Sequence, residues 1–188
     1  MIRLAEPADL AYLPGIDVAA GAVFRDVGMA AVADDDPPPL TWFETHLAAG
    51  RVWVWGKRKQ PPVAFCLVEV VDGTAHIAQI SVHPDHARRG IGAALIAHLD
   101  QWARDRGLPE VTLTTFRDVP WNAPYYARLG FEVVADEDLG PGLRAVRELE
   151  VERGLDRWPR VVMTRHVPIE APAGTDPAEA RPSSGRSR

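Results

Sequence analysis

The hydrophobic pattern changes period once, near the middle of the chain, and that change restricts the fold more than any other feature. Val63 to Val82 are mostly strand formers, interrupted by Asp72-Gly73. That dipeptide favours a two-residue hairpin turn, so Val63–Val71 and Thr74–Val82 are predicted to pair antiparallel. His83-Pro84-Asp85 stops the second strand. Beyond Gly90 and Gly92, the residues Ile91, Leu95, Leu99 and Trp102 recur on one helical face, which predicts a helix to about Arg106, ended by Gly107. Val111–Thr115 is a β-branched strand. Because it follows a helix, it should lie parallel to the strand ending at Val82.

The flanks extend this plan. Ile2–Leu4 reads as a short strand before a helix from Ala8 to about Ala20. Asp34-Asp35-Asp36-Pro37-Pro38-Pro39 breaks the chain, and a helix runs on through Trp42, Phe43, His46 and Leu47. Arg51 to Gly56 is a strand, separated from the next by Gln60-Pro61-Pro62. Trp121–Leu129 suits a short helix ending at Gly130, Phe131–Val134 a strand, residues 136–158 loop plus helix, and Arg160–Val167 a last strand. The class is α+β, in one domain over residues 1–167. Residues 168–188 are rich in Pro, Ala, Ser and Arg; such a tail cannot bury enough apolar surface to offset its ordering entropy.

Composition narrows the function. A chain of 188 residues can remove roughly 70% of its unfolded surface from water in one domain. Cys66 is the only cysteine, so no internal disulfide and no multi-cysteine zinc site can form. A net charge of −5 argues against nucleic acid as a partner. The longest apolar run, Val63–Val68, is far short of the ~20 residues of a membrane span, and no apolar signal core precedes it. A cytoplasmic protein is expected.

The chemistry is concentrated in Ile80 to Leu95: strand, Pro-stopped loop, Arg88-Arg89, Gly90-Ile91-Gly92, then an amphipathic helix. A helix start offers unpaired N–H groups and a positive dipole end, which suit a phosphate, and two arginines add charge-assisted bonds. The glycines keep Cβ atoms away from an approaching pyrophosphate. A P-loop needs Gly-Lys-Ser or Gly-Lys-Thr, which is absent. A dinucleotide fold needs a third glycine and an acid closing the next strand, but Leu95 and Thr114-Thr115-Phe116 stand there.

Val82-His83-Pro84-Asp85-His86-Ala87-Arg88-Arg89-Gly90-Ile91-Gly92-Ala93-Ala94-Leu95 resembles the coenzyme A signature of the GNAT superfamily of N-acyltransferases. Tyr126-Ala127-Arg128-Leu129-Gly130-Phe131, in the block from Trp121, resembles that family's Tyr-x-x-x-Gly-Phe segment. One departure is Ala87, where the family often carries Gln or Arg. The resemblance implies a three-layer α/β/α fold with a mixed, mostly antiparallel sheet of about six to seven strands, splayed between strands 4 and 5. A pantetheine arm would lie in the gap, against Ile80, Ser81 and Val82. The backbones of Ile80 and Val82 would bond its amides, and an N–H near Val82 would polarise the thioester. Arg88, Arg89, Gly90, Ile91, Gly92 and Ala93 would hold the pyrophosphate, and Asn122 would contact the cofactor.

The implied reaction is direct attack by an amine on acetyl-CoA, without a metal. Tyr126 takes the family's place for the acid that protonates the departing thiolate, with Tyr125 as its competitor. Glu69 is the candidate base if strand alternation turns it into the cleft. His76 and His83 titrate near neutrality, and Gln79 could position a water. The acceptor would be a small-molecule or peptide amine, and homodimerisation is common in the family. A catalytically silent acyl-CoA-binding module is the alternative. His83, Asp85 and His86 lack further ligands for a metal, and Cys66 should be buried and inert. Asp34–Asp36 suit a solvated loop better than a steering site for a cationic amine. Trp53 and Trp55 share a strand face that suits core packing or an interface, and with Trp42 and Trp121 could line an acceptor pocket.

Overall fold

The computed structural model describes residues 1–168; the expected tail lies outside the described residues from position 169 on. In chain order the elements are β1 (Ile2–Leu4), α1 (Leu13–Gly21), α2 (Ala30–Ala33), α3 (Leu40–Ala48), β2 (Val52–Trp55), β3 (Ala64–Val71), β4 (Thr74–Val82), α4 (Ile91–Arg104), β5 (Glu110–Phe116), α5 (Ala123–Arg128), β6 (Glu132–Val134), α6 (Pro141–Glu152) and β7 (Arg160–His166). The first helix starts five residues later than expected, at Leu13. Pro14, which has no N–H to donate, is tolerated only in a first turn, so Pro7–Asp9 forms a separate 3-10 turn instead.

The seven strands lie in the order β1-β2-β3-β4-β5-β7-β6. All neighbours are antiparallel except β4 and β5. The hairpin between β3 and β4 turns on Asp72 and Gly73, both left-handed at φ 49° and 76°, which matches the right-handed twist of the strands.

The parallel pair is joined only at its start: Ala75, His76 and Ile77 face Val111, Thr112 and Leu113. Beyond that level β4 continues to Val82 and β5 to Phe116 without pairing to each other. A bulge on β4 sits at the point of separation. Leu67 opposes Gln79 and Val68 opposes Ile77, so Ala78 has no counterpart on β3. An extra residue bends a strand and increases its twist, which carries the end of β4 away from β5.

The sheet is covered on both faces. On one side Leu95, Ile96 and Leu99 of α4 pack on Cys66, Ile77, Val111 and Leu113; on the other, Leu13, Ile16 and Phe43 pack on Val54, Phe65 and Leu67. Each such side chain, fully buried, contributes about 1.5–3 kcal/mol. Trp53 belongs to the α4 face, edge-on to Trp102 at 5.4 Å, so it is core rather than acceptor pocket.

Candidate active site

The gap between β4 and β5 is the centre of the site. The main-chain N–H of His83 donates to Val63 O at 2.9 Å. Alternation back along β4 then turns the backbone groups of Ser81 and Gln79 towards β3, and those of Val82 and Ile80 towards the open side. A strand edge with unpaired N–H and C=O groups is a template for another extended chain. Ser81 does not share that orientation. Its side chain is buried at 4% exposure on the α1 side and its hydroxyl donates to Asp17 Oδ1 at 2.7 Å.

The mouth of the gap is the start of α4. Arg88 (φ 57°) and Gly90 (φ 74°) are left-handed on either side of Arg89, and no side chain caps the helix. The first-turn N–H groups of Ile91 and Gly92 therefore have no side-chain partner, while the Ala93 main chain faces the Tyr125 hydroxyl. Arg88 and Arg89 are both exposed there, and Arg89 also donates to Asp85 O at 2.9 Å. Gly92 has a different role from Gly90. A Cβ on it would stand 3.4 Å from the Tyr125 hydroxyl, an ordinary contact, so Gly92 lies directly against that tyrosine.

Tyr126 packs in the α4-side core against Phe131, ring centroids 5.8 Å apart. Burial pushes its hydroxyl well above the usual range, and Cys66 and Tyr125 push the same way. Tyr126 therefore keeps its proton at neutral pH. Burial raises Tyr125 too, partly countered by Arg128 and the Ala93 main chain. Asn122, just before α5, donates from Nδ2 to Thr115 Oγ1 at 2.8 Å, while its buried Oδ1 has no donor. Such an orphan acceptor is uncommon in a folded interior.

The opposite face of the sheet, under α1, α3 and α6, carries a row of polar groups. Thr74, Thr112 and His76 bond to one another, with His76 Nδ1 3.0 Å from Thr112 Oγ1. Burial lowers the pKa of His76, with Glu69 and Glu150 opposing in part, so the ring is neutral. Glu150 receives Arg160 at 2.6 Å and also Thr114 and Arg147. Burial alone would raise its carboxyl, but Arg160 leads the contacts that hold it below the usual range. Glu69 does turn to this face. It stands opposite His76, with Oε1 3.0 Å from His46 Nε2. That is the joined end of the strand pair, about 10 Å along the strand from Gln79 at ~3.3 Å per residue.

Asp17 escaped the sequence reading. It projects from α1 onto β4, and its Oδ1 accepts from Gln79 Nε2 at 2.6 Å and from Ser81. The available signal was a single acid in the apolar helix Ile16-Asp17-Val18-Ala19-Ala20. The other sequence candidates have the following surroundings. Cys66 is buried and its thiol is pushed up to about 12 by burial. His83 Nδ1 accepts the Asp85 N–H at 3.3 Å. Asp34 pairs with Arg25, and Asp35 with Arg153 at 2.9 Å. Trp121 is an exposed ring beside Phe24. Among the described residues no group of three His, Cys, Asp or Glu could hold a metal, and no helix is long and apolar enough to cross a membrane.

Comparison with known proteins fits this geometry. The S-(2-succino)cysteine N-acetyltransferase of Bacillus subtilis is 33% identical over 90 residues, 47% of this chain and 48% of that protein. The chain spans less than half the length of the curated relatives it matches. Among solved structures, the ribosomal-protein-S18-alanine N-acetyltransferase of Escherichia coli superposes with a TM-score of 0.62 at 20% identity, over 91% of this chain and 96% of that one. The PaiA N-acetyltransferase of Thermoplasma acidophilum, solved with coenzyme A, gives 0.62 at 13% identity, over 88% and 98%. At those identities the two structures establish the shared fold. Residues 23–131, which include the parted strands and both sequence blocks, match the Acetyltransferase (GNAT) family. That match covers more than half of the chain, which therefore belongs to the GNAT family of acetyltransferases.

Proposed function

We propose that the protein transfers the acetyl group of acetyl-CoA to a primary amine, of a small molecule or a peptide, by direct attack in the gap between β4 and β5. The observation that carries this reading is the parting of the two strands beyond Ile77 and Leu113, beside a helix start with no side-chain cap. Acetyl-CoA supplies an acetyl thioester already activated towards amines. The chain's own groups bind and orient it. Backbone groups of Ile80 and Val82 suit the amides of the pantetheine arm, donor to acceptor. The loop from Arg88 to Ala93 suits the pyrophosphate, and the orphaned Asn122 Oδ1 suits an N–H of the arm. Tyr126, protonated at neutral pH, donates to the leaving sulfur. Glu69, bonded to His46 at the joined end of the pair, stands too far along the strands from the open gap to take the amine proton directly.

Thermal shift tests the cofactor. At one hundred times its Kd a ligand adds about 2.7 kcal/mol, or roughly 5–10 °C for a domain of this size. Acetyl-CoA should produce that shift, and NAD and ATP none. A flat response to saturating acetyl-CoA refutes the reading. Tyr126→Phe should lower turnover by roughly 100-fold or more while leaving the acetyl-CoA shift in place. Equal turnover removes Tyr126 from the mechanism. A full shift with no thiol release for any amine would instead favour a silent acyl-CoA-binding module.

A further inference from the structure

The α4 face of the gap is filled by Tyr126 and apolar core, so the amine must arrive from the side of α1. Asp17 lies there. Its Oδ1 is held by Gln79 and Ser81, both on the part of β4 that does not pair with β5. Among the described residues its Oδ2 takes no protein hydrogen bond, and the residue is only partly buried. A carboxylate fixed by one oxygen and open at the other suits a partner with several N–H donors and a positive charge.

We propose that Asp17 receives the ammonium nitrogen of the acceptor and takes the proton that must leave before attack. One N–H proton passes to Asp17 Oδ2 and from there to solvent. The nitrogen lone pair then forms the C–N bond as the C–S bond breaks. The sulfur takes the Tyr126 proton, and the second proton of the attacking nitrogen restores it. Burial raises the Asp17 carboxyl above its ordinary range, with Ser81, Gln79 and Arg153 countering in part and Asp35 adding to the rise. It is thus a stronger proton acceptor than an exposed aspartate. Arg153 at the end of α6 and Asp35 before α3 are the charged groups that act on it, and they pair with each other. β4 presents only the uncharged Gln79 and Ser81 to it.

The assignment rests on the acetyltransferase reading, and the test separates the two. Carbon-13 NMR of aspartate-labelled protein, saturated with coenzyme A, which has no acetyl group to transfer, would follow the Asp17 carboxyl, assigned by its loss in Asp17→Asn. Butylammonium should move that resonance saturably, and tetramethylammonium, which has no N–H, should not. A resonance indifferent to butylammonium overturns the proposal. In thiol-release assays with acetyl-CoA and butylamine, Asp17→Asn should lose about 100-fold or more in kcat/KM at pH 7. The deficit should shrink as the pH approaches the amine's own pKa near 10, because a free amine needs no base. A loss equal at both pH values overturns the proton role. Asparagine can still accept from Gln79 and Ser81, so the variant should keep the fold and the acetyl-CoA thermal shift. If wild-type protein shows no such shift, it is the cofactor reading that has failed.

Discussion

Asp72 links the β3–β4 hairpin to α6, which covers one side of the sheet, and its removal should be measurable. Its two carboxylate oxygens accept from Gly142 N at 2.8 Å and Leu143 N at 2.9 Å, so a side chain from the β3–β4 turn caps the first turn of α6. The same residue is left-handed, at φ 49°. Asp72→Ala loses the cap, worth about 1 kcal/mol, and places alanine in a conformation that costs it about 1 kcal/mol more. The sum of about 2 kcal/mol lowers Tm by roughly 4–8 °C in a domain of this size. Asp72→Gly removes the cap but not the conformational freedom, so it should lose about half as much. Gly142→Ala reaches the same contact from the other side, because its Cβ would stand 2.7 Å from Asp72 Oδ1 and from Val71 Cγ1. Since both substitutions break one cap, the double variant Asp72→Ala/Gly142→Ala should lose clearly less than the sum of the singles. Calorimetry on wild type and these four variants decides it. Additive losses, or Asp72→Ala as stable as wild type, would show that the turn does not hold the helix. The acetyl-CoA shift should survive in every variant, since α4 lies on the other face.

Three further outcomes follow from the same geometry. The folded pKa of His76 lies below its ordinary 6.5 and that of Glu150 below 4.5. In both cases the unfolded chain binds more protons, so stability is lost as pH falls, first below 6.5 through His76 and then below 4.5 through Glu150. Urea midpoints between pH 5 and 7 should slope in wild type and flatten in His76→Gln, and an unchanged slope refutes the role of His76. Gly90→Ala meets no atom within 4 Å, so at φ 74° its penalty is conformational only. It should lower Tm by about 2–4 °C for roughly 1 kcal/mol and weaken the acetyl-CoA shift, which titration would detect. Amide exchange should be fast at Ile80 and Val82 and slow at Gln79 and Ser81, with the first two slowing on addition of acetyl-CoA. Equal protection in the free protein refutes the alternation.

Local chemistry made most of the fold legible. Asp72-Gly73 fixes a hairpin through φ alone, and the spacing of Ile91, Leu95 and Leu99 can serve only a helix. Contacts between distant residues were not legible. The last strand, β7, inserts between β5 and β6, and nothing in Arg160–His166 marks which neighbours it takes. The 3-10 turn at Ala22–Val27 and the short α2 have too few periodic residues to register. At the site, the phosphate loop could be read because its glycines and arginines are contiguous. Asp17 and Ser81 meet across 64 residues, and the bulge that parts the strands falls on Ala78, whose identity carries no such instruction.

The outer edges of its two strands hold the gap in place. β4 is paired with β3 along its length, from Thr74 opposite Val71 to Val82 opposite Ala64. β5 is paired with β7 from Glu110 opposite His166 to Phe116 opposite Arg160. Each arm is therefore braced on the side away from the gap, and closing it would require a whole half of the sheet to move. The Glu150–Arg160–Thr114 cluster adds a second brace, since it ties α6 to β5 and β7 at the level where β5 becomes free. Buried ion pairs are poor sources of net stability but hold geometry well, because breaking one strands a charge. A site that must keep two strands apart by a fixed distance gains more from such geometry than from an apolar contact of equal size, which could slide. The polar row under α1, α3 and α6 is thus the expected companion of an open strand pair, and Asp17 is its member at the open end.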